Sequence, residues 1–221
     1  MDFYNGGIMI KAVIFDMDGV IIDSEPIHFE SDKMTMKFYE KEISDEELNN
    51  YVGVSNQEMW GELREKYKLI ASIEELLEKQ FYFKKSLIGN TKLETISGIR
   101  ELLNDLKNSG IRIGLASSSS KEFIELILNN LEVKEYFEVI ISGDDVQKSK
   151  PAPDIFLKAA KALNVEPMNC LVIEDSAHGV KAAKLANMKC IGFSNPNSGN
   201  QDLSLADAIV LSIKEIDHRN Y

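Results

Sequence analysis

The sequence predicts an α/β protein: a Rossmann-like parallel sheet with helices on both faces, carrying an all-helical insertion after its first strand. Three observations predict it. Short runs of apolar, often β-branched residues recur along the chain, too short for helices and bounded by turn residues. From residue 99 onward these runs alternate with segments of helical period, the pattern of a parallel sheet covered on two sides. Between the first run and the others lie about 65 residues in which apolar and charged side chains alternate at helical spacing, with no strand-like run.

The elements follow in order. Residues 11–15 form the first strand, ending at a glycine turn. Residues 24–87 are the helical block, with Met34 and Phe38, then Leu76, Leu77 and Phe81, at helical intervals. A helix over 99–108 stops at Gly110, which can take the left-handed conformation that closes helices. Strand 111–116, helix 121–129, strand 138–141, helix 153–163, strand 170–173, helix 179–186 and strands 189–193 and 208–211 complete the pattern. The polar stretch 194–202 is a loop. The expected division is a core of residues 8–22 and 93–221 and a helical cap of residues 23–92.

Ligands of such sheets bind at the carboxyl ends of the strands, so the polar residues there are the candidates. Asp16 and Asp18 follow the first strand two residues apart, and in extended chain such a pair faces the same way. Held close, they repel and raise one another's pKa, a conflict that a hard cation such as Mg²⁺ removes. An isolated DxDG also describes a solvated acidic turn. Gly19 supplies a sharp bend. The second strand ends in "LASSSSK", where a serine caps the following helix and Ser117 or Ser118 offers hydroxyl and N–H groups to an anion. Lys150 stands in "KSKPAPD", its exit direction fixed by Pro151 and Pro153, which rigidify the entry to the next helix. Glu174 and Asp175 close the apolar run of "VIEDS", an acidic pair at the mouth of a buried strand. Together these strand ends place a cation site beside an anion site, the arrangement phosphoryl transfer requires.

With "DMDGV" at 16–20, "LASSS" at 115–119, "SKPAPD" at 149–154 and "VIEDS" at 172–176, the chain resembles the haloacid dehalogenase superfamily, in the branch that includes β-phosphoglucomutase and phosphoglycolate phosphatase. The resemblance implies a Mg²⁺-dependent phosphatase. Asp16 would be the nucleophile that forms an aspartyl-phosphate, and Asp18 the general acid and base. It implies Mg²⁺ on the Asp16 carboxylate, the Asp18 carbonyl and Asp175, with Glu174 as a further or water-mediated ligand, and Ser117, Ser118 and Lys150 on the phosphoryl oxygens. Residues 23–26 and 95–98 would be hinges of a closing cap, and His28 matches the cap-hinge histidine of the mutase. Where the mutase pattern has lysine and arginine for its second phosphate, this chain has Val52 and Asn56, which favours a hydrolase of a small phosphate monoester, sugar phosphates first, over a phosphosugar mutase. Lys84 and Lys85 could replace the missing charges, but a solvated helix face is the expectation for them. A non-enzymatic phosphoacceptor module fits worse, because receivers carry adjacent acids after strand one and no helical insertion.

A net charge of -11 excludes nucleic acid and anionic membranes as partners of the surface at large. The longest apolar runs fall far short of the roughly 18 residues of a membrane span, and Met1–Gly7 lacks the features of a signal peptide. A cytoplasmic monomer acting on a small phosphorylated metabolite is the expectation. Cys170 and Cys190, without CxxC spacing, read as buried thiols.

Overall fold

Strand β1, Ala12–Phe15, is buried at every residue. Its side chains alternate between two apolar layers, Val13 and Phe15 on one face and Ala12 and Ile14 on the other, as the period of two demands. In the computed structural model, which describes residues 9–52, 54–89 and 92–221, β1 is the centre of a six-stranded sheet. Its companions are β2 (Arg112–Ala116), β3 (Val139–Ile141), β4 (Cys170–Glu174), β5 (Lys189–Phe193) and β6 (Ala208–Val210), in the order β3-β2-β1-β4-β5-β6. All five pairings are parallel. The Met1–Gly7 lead-in, the expected core start at residue 8 and the cap residues 90 and 91 lie outside the described residues, as does Gly53.

Eight α-helices are described. Four lie between β1 and β2: α1 (Glu25–Phe38), α2 (Asp45–Leu48), α3 (Asn56–Tyr67) and α4 (Ile73–Gly89). The others are α5 (Ile99–Asn108), α6 (Lys121–Asn130), α7 (Asp154–Ala162) and α8 (Ala177–Leu185). Helices α5 and α6 bury Leu103, Leu106, Phe123 and Ile127 in the layer of Val13 and Phe15, while α7 and α8 bury Phe156, Ala159, Val180 and Ala183 in the layer of Ala12 and Ile14. This is the doubly wound arrangement expected from the alternating pattern. Boundaries differ from expectation by one or two residues: α8 begins at Ala177, where Ser176 caps it by accepting from the Gly179 N–H at 3.0 Å.

The helices between β1 and β2 have an apolar cluster of their own, built around Met36, Leu48, Met59, Trp60, Leu63 and Leu76. Where the chain leaves the sheet and returns to it, the two segments touch, with the Ile96 N–H donating to the Ile21 carbonyl at 2.9 Å. Ile88 and Phe81 of α4, with Ile27 of α1, pack against the layer of α6. No described helix is long and apolar enough to cross a membrane. Cys170 and Cys190 are free and buried.

Candidate active site

Strand order puts the site beside β1. The chain runs from β1 outward through β2 and β3, then returns to the other side of β1 as β4, so polar residues ending β1, β2 and β4 meet in one crevice. A cavity of about 110 Å³ opens there, lined by Asp16, Asp18, Ser118, Lys150, Glu174 and Asp175 and, from the helical block, by Glu25 and His28.

Lys150 is the pivot. Its ammonium donates to Asp16 Oδ1 at 2.5 Å, to Glu174 Oε1 at 2.6 Å and to the Ala116 carbonyl at 3.2 Å. Glu174 is saturated on its other oxygen, which accepts the Asp175 and Ser176 N–H groups at 2.9 Å and the Ser176 hydroxyl at 3.0 Å. Asp175 accepts a short hydrogen bond from Ser198, a residue of the loop after β5. One oxygen each of Asp16, Glu174 and Asp175 lies within 4.8 Å of the others. Burial, reinforced by the charges of Glu174 and Asp18, pushes Asp16 up to about 8 against the pull of Lys150. Burial together with Glu174 and Asp16 holds Asp175 well above the usual carboxylate range. Burial lowers Lys150, but Asp16 and Glu174 outweigh it and the lysine stays protonated. Fully ionised, the three buried carboxylates would leave two negative charges uncompensated by the one ammonium, and without a cation the cluster holds protons instead. The donor set is all hard oxygen, so it fits a divalent cation of the Mg²⁺ kind.

Asp18 faces away from that cluster. Its Oδ1 accepts from the Ser24 hydroxyl at 2.5 Å and lies 3.1 Å from His28 Nε2, and its Oδ2 accepts from Ser119 at 2.8 Å and Ser117 at 3.2 Å. Burial opposes ionisation, but the donors from His28, Ser24 and Ser119 prevail and hold the carboxyl below its ordinary range. Two aspartates two residues apart therefore sit in opposite protonation environments. Gly19 makes the turn possible, with φ at +76° and no room for a Cβ, which would overlap the Asp175 carboxylate. Its carbonyl is held by Asn195 Nδ2 at 2.9 Å.

Each residue expected from the sequence lies at this crevice, though not always facing it. Ser117 is fully buried and its hydroxyl is engaged by Asp18 and by the Ser119 N–H at 3.0 Å, so Ser118 is the exposed serine on the cavity wall. The helix cap is Ser120. Lys84 corrects an expectation. It is 2% exposed rather than solvated, its ammonium 4.7 Å from the centre of the Phe123 ring and attracted to Asp32, whose carboxylate takes a 2.5 Å hydrogen bond from Gln80. Lys85 is exposed. Ser24, Ser119, Ser198, Asn195 and Glu25 were not singled out by the sequence.

A family model described as haloacid dehalogenase-like hydrolase matches residues 13–193. A phosphorylated carbohydrates phosphatase of Thermotoga maritima is 35% identical over 199 residues, covering 90% of this chain and 91% of the relative. A β-phosphoglucomutase of Bacillus subtilis is 35% identical over 218 residues, covering 94% and 92%. Among solved structures, CbbY from Rhodobacter sphaeroides in complex with phosphate superposes with a TM-score of 0.90 at 25% identity, covering 96% of this chain and 100% of that one. With the family match spanning β1 through β5 and the crevice residues they carry, the chain is an enzyme and belongs to the haloacid dehalogenase-like hydrolases.

Proposed function

We propose that the protein is a Mg²⁺-dependent phosphatase of a small phosphorylated carbohydrate, working through an aspartyl-phosphate on Asp16. The observation that carries this reading is the division between the two aspartates: Asp16 on a lysine within a carboxylate cluster, Asp18 on four hydrogen-bonding partners just beyond it. Mg²⁺, held by the Asp16 and Asp175 carboxylates and the Asp18 carbonyl with Glu174 adjoining, would neutralise phosphoryl charge. Lys150 and Ser118 face the same space and steady the phosphoryl oxygens, while Ser117 acts through Asp18.

In the first half-reaction an Asp16 oxygen attacks phosphorus, the ester P–O bond breaks, and Asp18 gives its proton to the leaving oxygen. In the second, water attacks the aspartyl-phosphate, its proton passes to Asp18, and phosphate leaves with Asp16 restored. The donors seen on Asp18 favour the carboxylate, the form the second half needs. Ser24 and His28 belong to the segment that enters the helical block, so opening of a cap over residues 23–92 would withdraw two of the four and let Asp18 keep the proton it has taken from water. Phosphate monoesters are among the slowest substrates in water, which makes water exclusion by such a cap valuable. The site is complete within one chain and the cysteines are free, in keeping with a monomer in a reducing cytosol.

A phosphosugar mutase is the second reading, favoured by the Bacillus relative. Against it, Val52 and Asn56 both line the cavity and neither carries the positive charge that the mutase pattern offers a second phosphate. Phosphorus NMR with Mg²⁺ and a panel of sugar and sugar-alcohol phosphates, including β-glucose 1-phosphate primed with glucose 1,6-bisphosphate, tests both. Growth of free phosphate, absent in Asp16→Asn, is expected. Conversion to glucose 6-phosphate without free phosphate would establish the mutase.

A further inference from the structure

The cavity wall facing the phosphoryl grip carries a second message. Of the described residues lining it, Lys150 and His28 are the basic ones; Lys150 is committed to Asp16 and Glu174, and His28 to Asp18. Lys84 does not line the cavity, and its charge is answered first by Asp32 and then by Asp18 and Glu25. On this side the wall offers Tyr51, Val52, Ser55 and Asn56, neutral groups suited to carbon–hydrogen faces and hydroxyls, and one carboxylate without a partner. That carboxylate is Glu25. It is half-buried, lines the cavity from the first turn of α1, and makes no hydrogen bond or ion pair within 4 Å among the described residues; burial raises its pKa, with His28 attracting the carboxylate and Asp18, Asp32 and Asp23 opposing it.

We infer that Glu25 sets substrate class: it accepts hydroxyl hydrogen bonds from a monophosphate whose remainder is uncharged, and it repels any substrate carrying a second phosphate or a carboxylate at the far end. The inference rests on the phosphatase reading. An unpaired carboxylate in a partly desolvated cleft gains a charge-assisted hydrogen bond from a polyol. The same carboxylate against a second anion at close range acts in a low effective dielectric and is penalised far more than it would be in water. Discrimination by an unpaired charge is a repulsive device, effective even where attractive contacts are shared.

The test compares kcat/KM, at mildly alkaline pH with Mg²⁺, for glucitol 6-phosphate, fructose 1,6-bisphosphate and 2-phosphoglycolate in the parent and in Glu25→Gln, with Glu25→Lys as a second variant. The parent is expected to favour glucitol 6-phosphate over both dianionic-tailed and carboxylated substrates by about a hundredfold. Glu25→Gln is expected to shrink that ratio at least tenfold, about 1.4 kcal/mol, chiefly by improving the bisphosphate, and Glu25→Lys to shrink it further. A parent that hydrolyses the bisphosphate within threefold of the monophosphate, or a ratio unmoved in both variants, would overturn the inference while leaving the phosphatase standing. A parent that releases phosphate from none of the three, nor from p-nitrophenyl phosphate, would overturn both.

Discussion

Replacing Lys150 by methionine isolates what one cation does for this crevice. Lys150, Asp16 and Glu174 have side chains only 6%, 8% and 1% exposed, so the pair energies belong to the buried regime and not to the nearly neutral one of surface ion pairs. Methionine preserves the length of the side chain but leaves Asp16, Glu174 and Asp175 together with no positive charge. Removing one partner of a buried pair costs about 3–5 kcal/mol. At roughly 2–4 °C per kcal/mol for a chain of this size, the melting temperature in chelator should fall by about 6–20 °C. The carboxylates can escape part of the penalty by taking up protons, which they do less readily as pH rises, so the deficit should grow between mildly acidic and mildly alkaline buffer. Mg²⁺, binding the folded cluster, should return part of the loss, while phosphatase activity stays absent. Calorimetric melts of parent and variant, with EDTA and with Mg²⁺ at two pH values, read all of this. A variant melting within about 2 °C of the parent in EDTA would refute the argument that Lys150 holds the cluster together.

Other outcomes follow from the same geometry. Asp16→Asn should lower kcat at least ~10⁴-fold with an unchanged circular dichroism spectrum, and turnover near the parent value would remove Asp16 as nucleophile. In EDTA, Asp16 titrates near 8 in the folded protein against an ordinary 3.8, so between those values the folded state binds more protons than the unfolded one. Stability, read as the urea midpoint, should therefore decline as pH rises through that window, and Mg²⁺ should flatten the decline; a midpoint that rises with pH in EDTA would contradict it. Gly19→Ala forces a Cβ into the Asp175 carboxylate from a left-handed backbone. It should weaken Mg²⁺ activation at least tenfold, read as the half-saturating metal concentration, and unchanged metal dependence would show that Asp175 takes no part.

Much of the site was legible because its residues sit where two simple signals coincide, an apolar run ending and a polar residue beginning. Asp16, Glu174 and Asp175 satisfy that, Lys150 was marked instead by the prolines that follow it, and all four meet. Lys84 was legible too, had the helix been phased: Leu76, Gln80, Lys84 and Ile88 are the buried residues of α4, four apart throughout, and a lysine on that stripe belongs inside. Two adjacent lysines on a charged helix disguised it. Ser198 and Asn195 carried no signal, since a polar loop gives no periodicity and their partners, Asp175 and the Gly19 carbonyl, are distant in the chain. Ser117 was placed at the right strand end but its facing was not, because rotation of a hydroxyl about one bond decides between cavity and neighbour.

The hydrogen bond between Ile96 and Ile21 bears on how the sheet assembles. Central strand β1 pairs with β2 in the register Ala12 to Arg112, a contact of very long range in sequence and thus a slow one to find. Once the intervening helices have gathered on their own apolar cluster and the two connecting segments are tied, the searching loop shrinks from about 100 residues to about 25, two halvings worth ~1.2 kcal/mol of closure entropy. A long insertion at this point is therefore a small burden on folding.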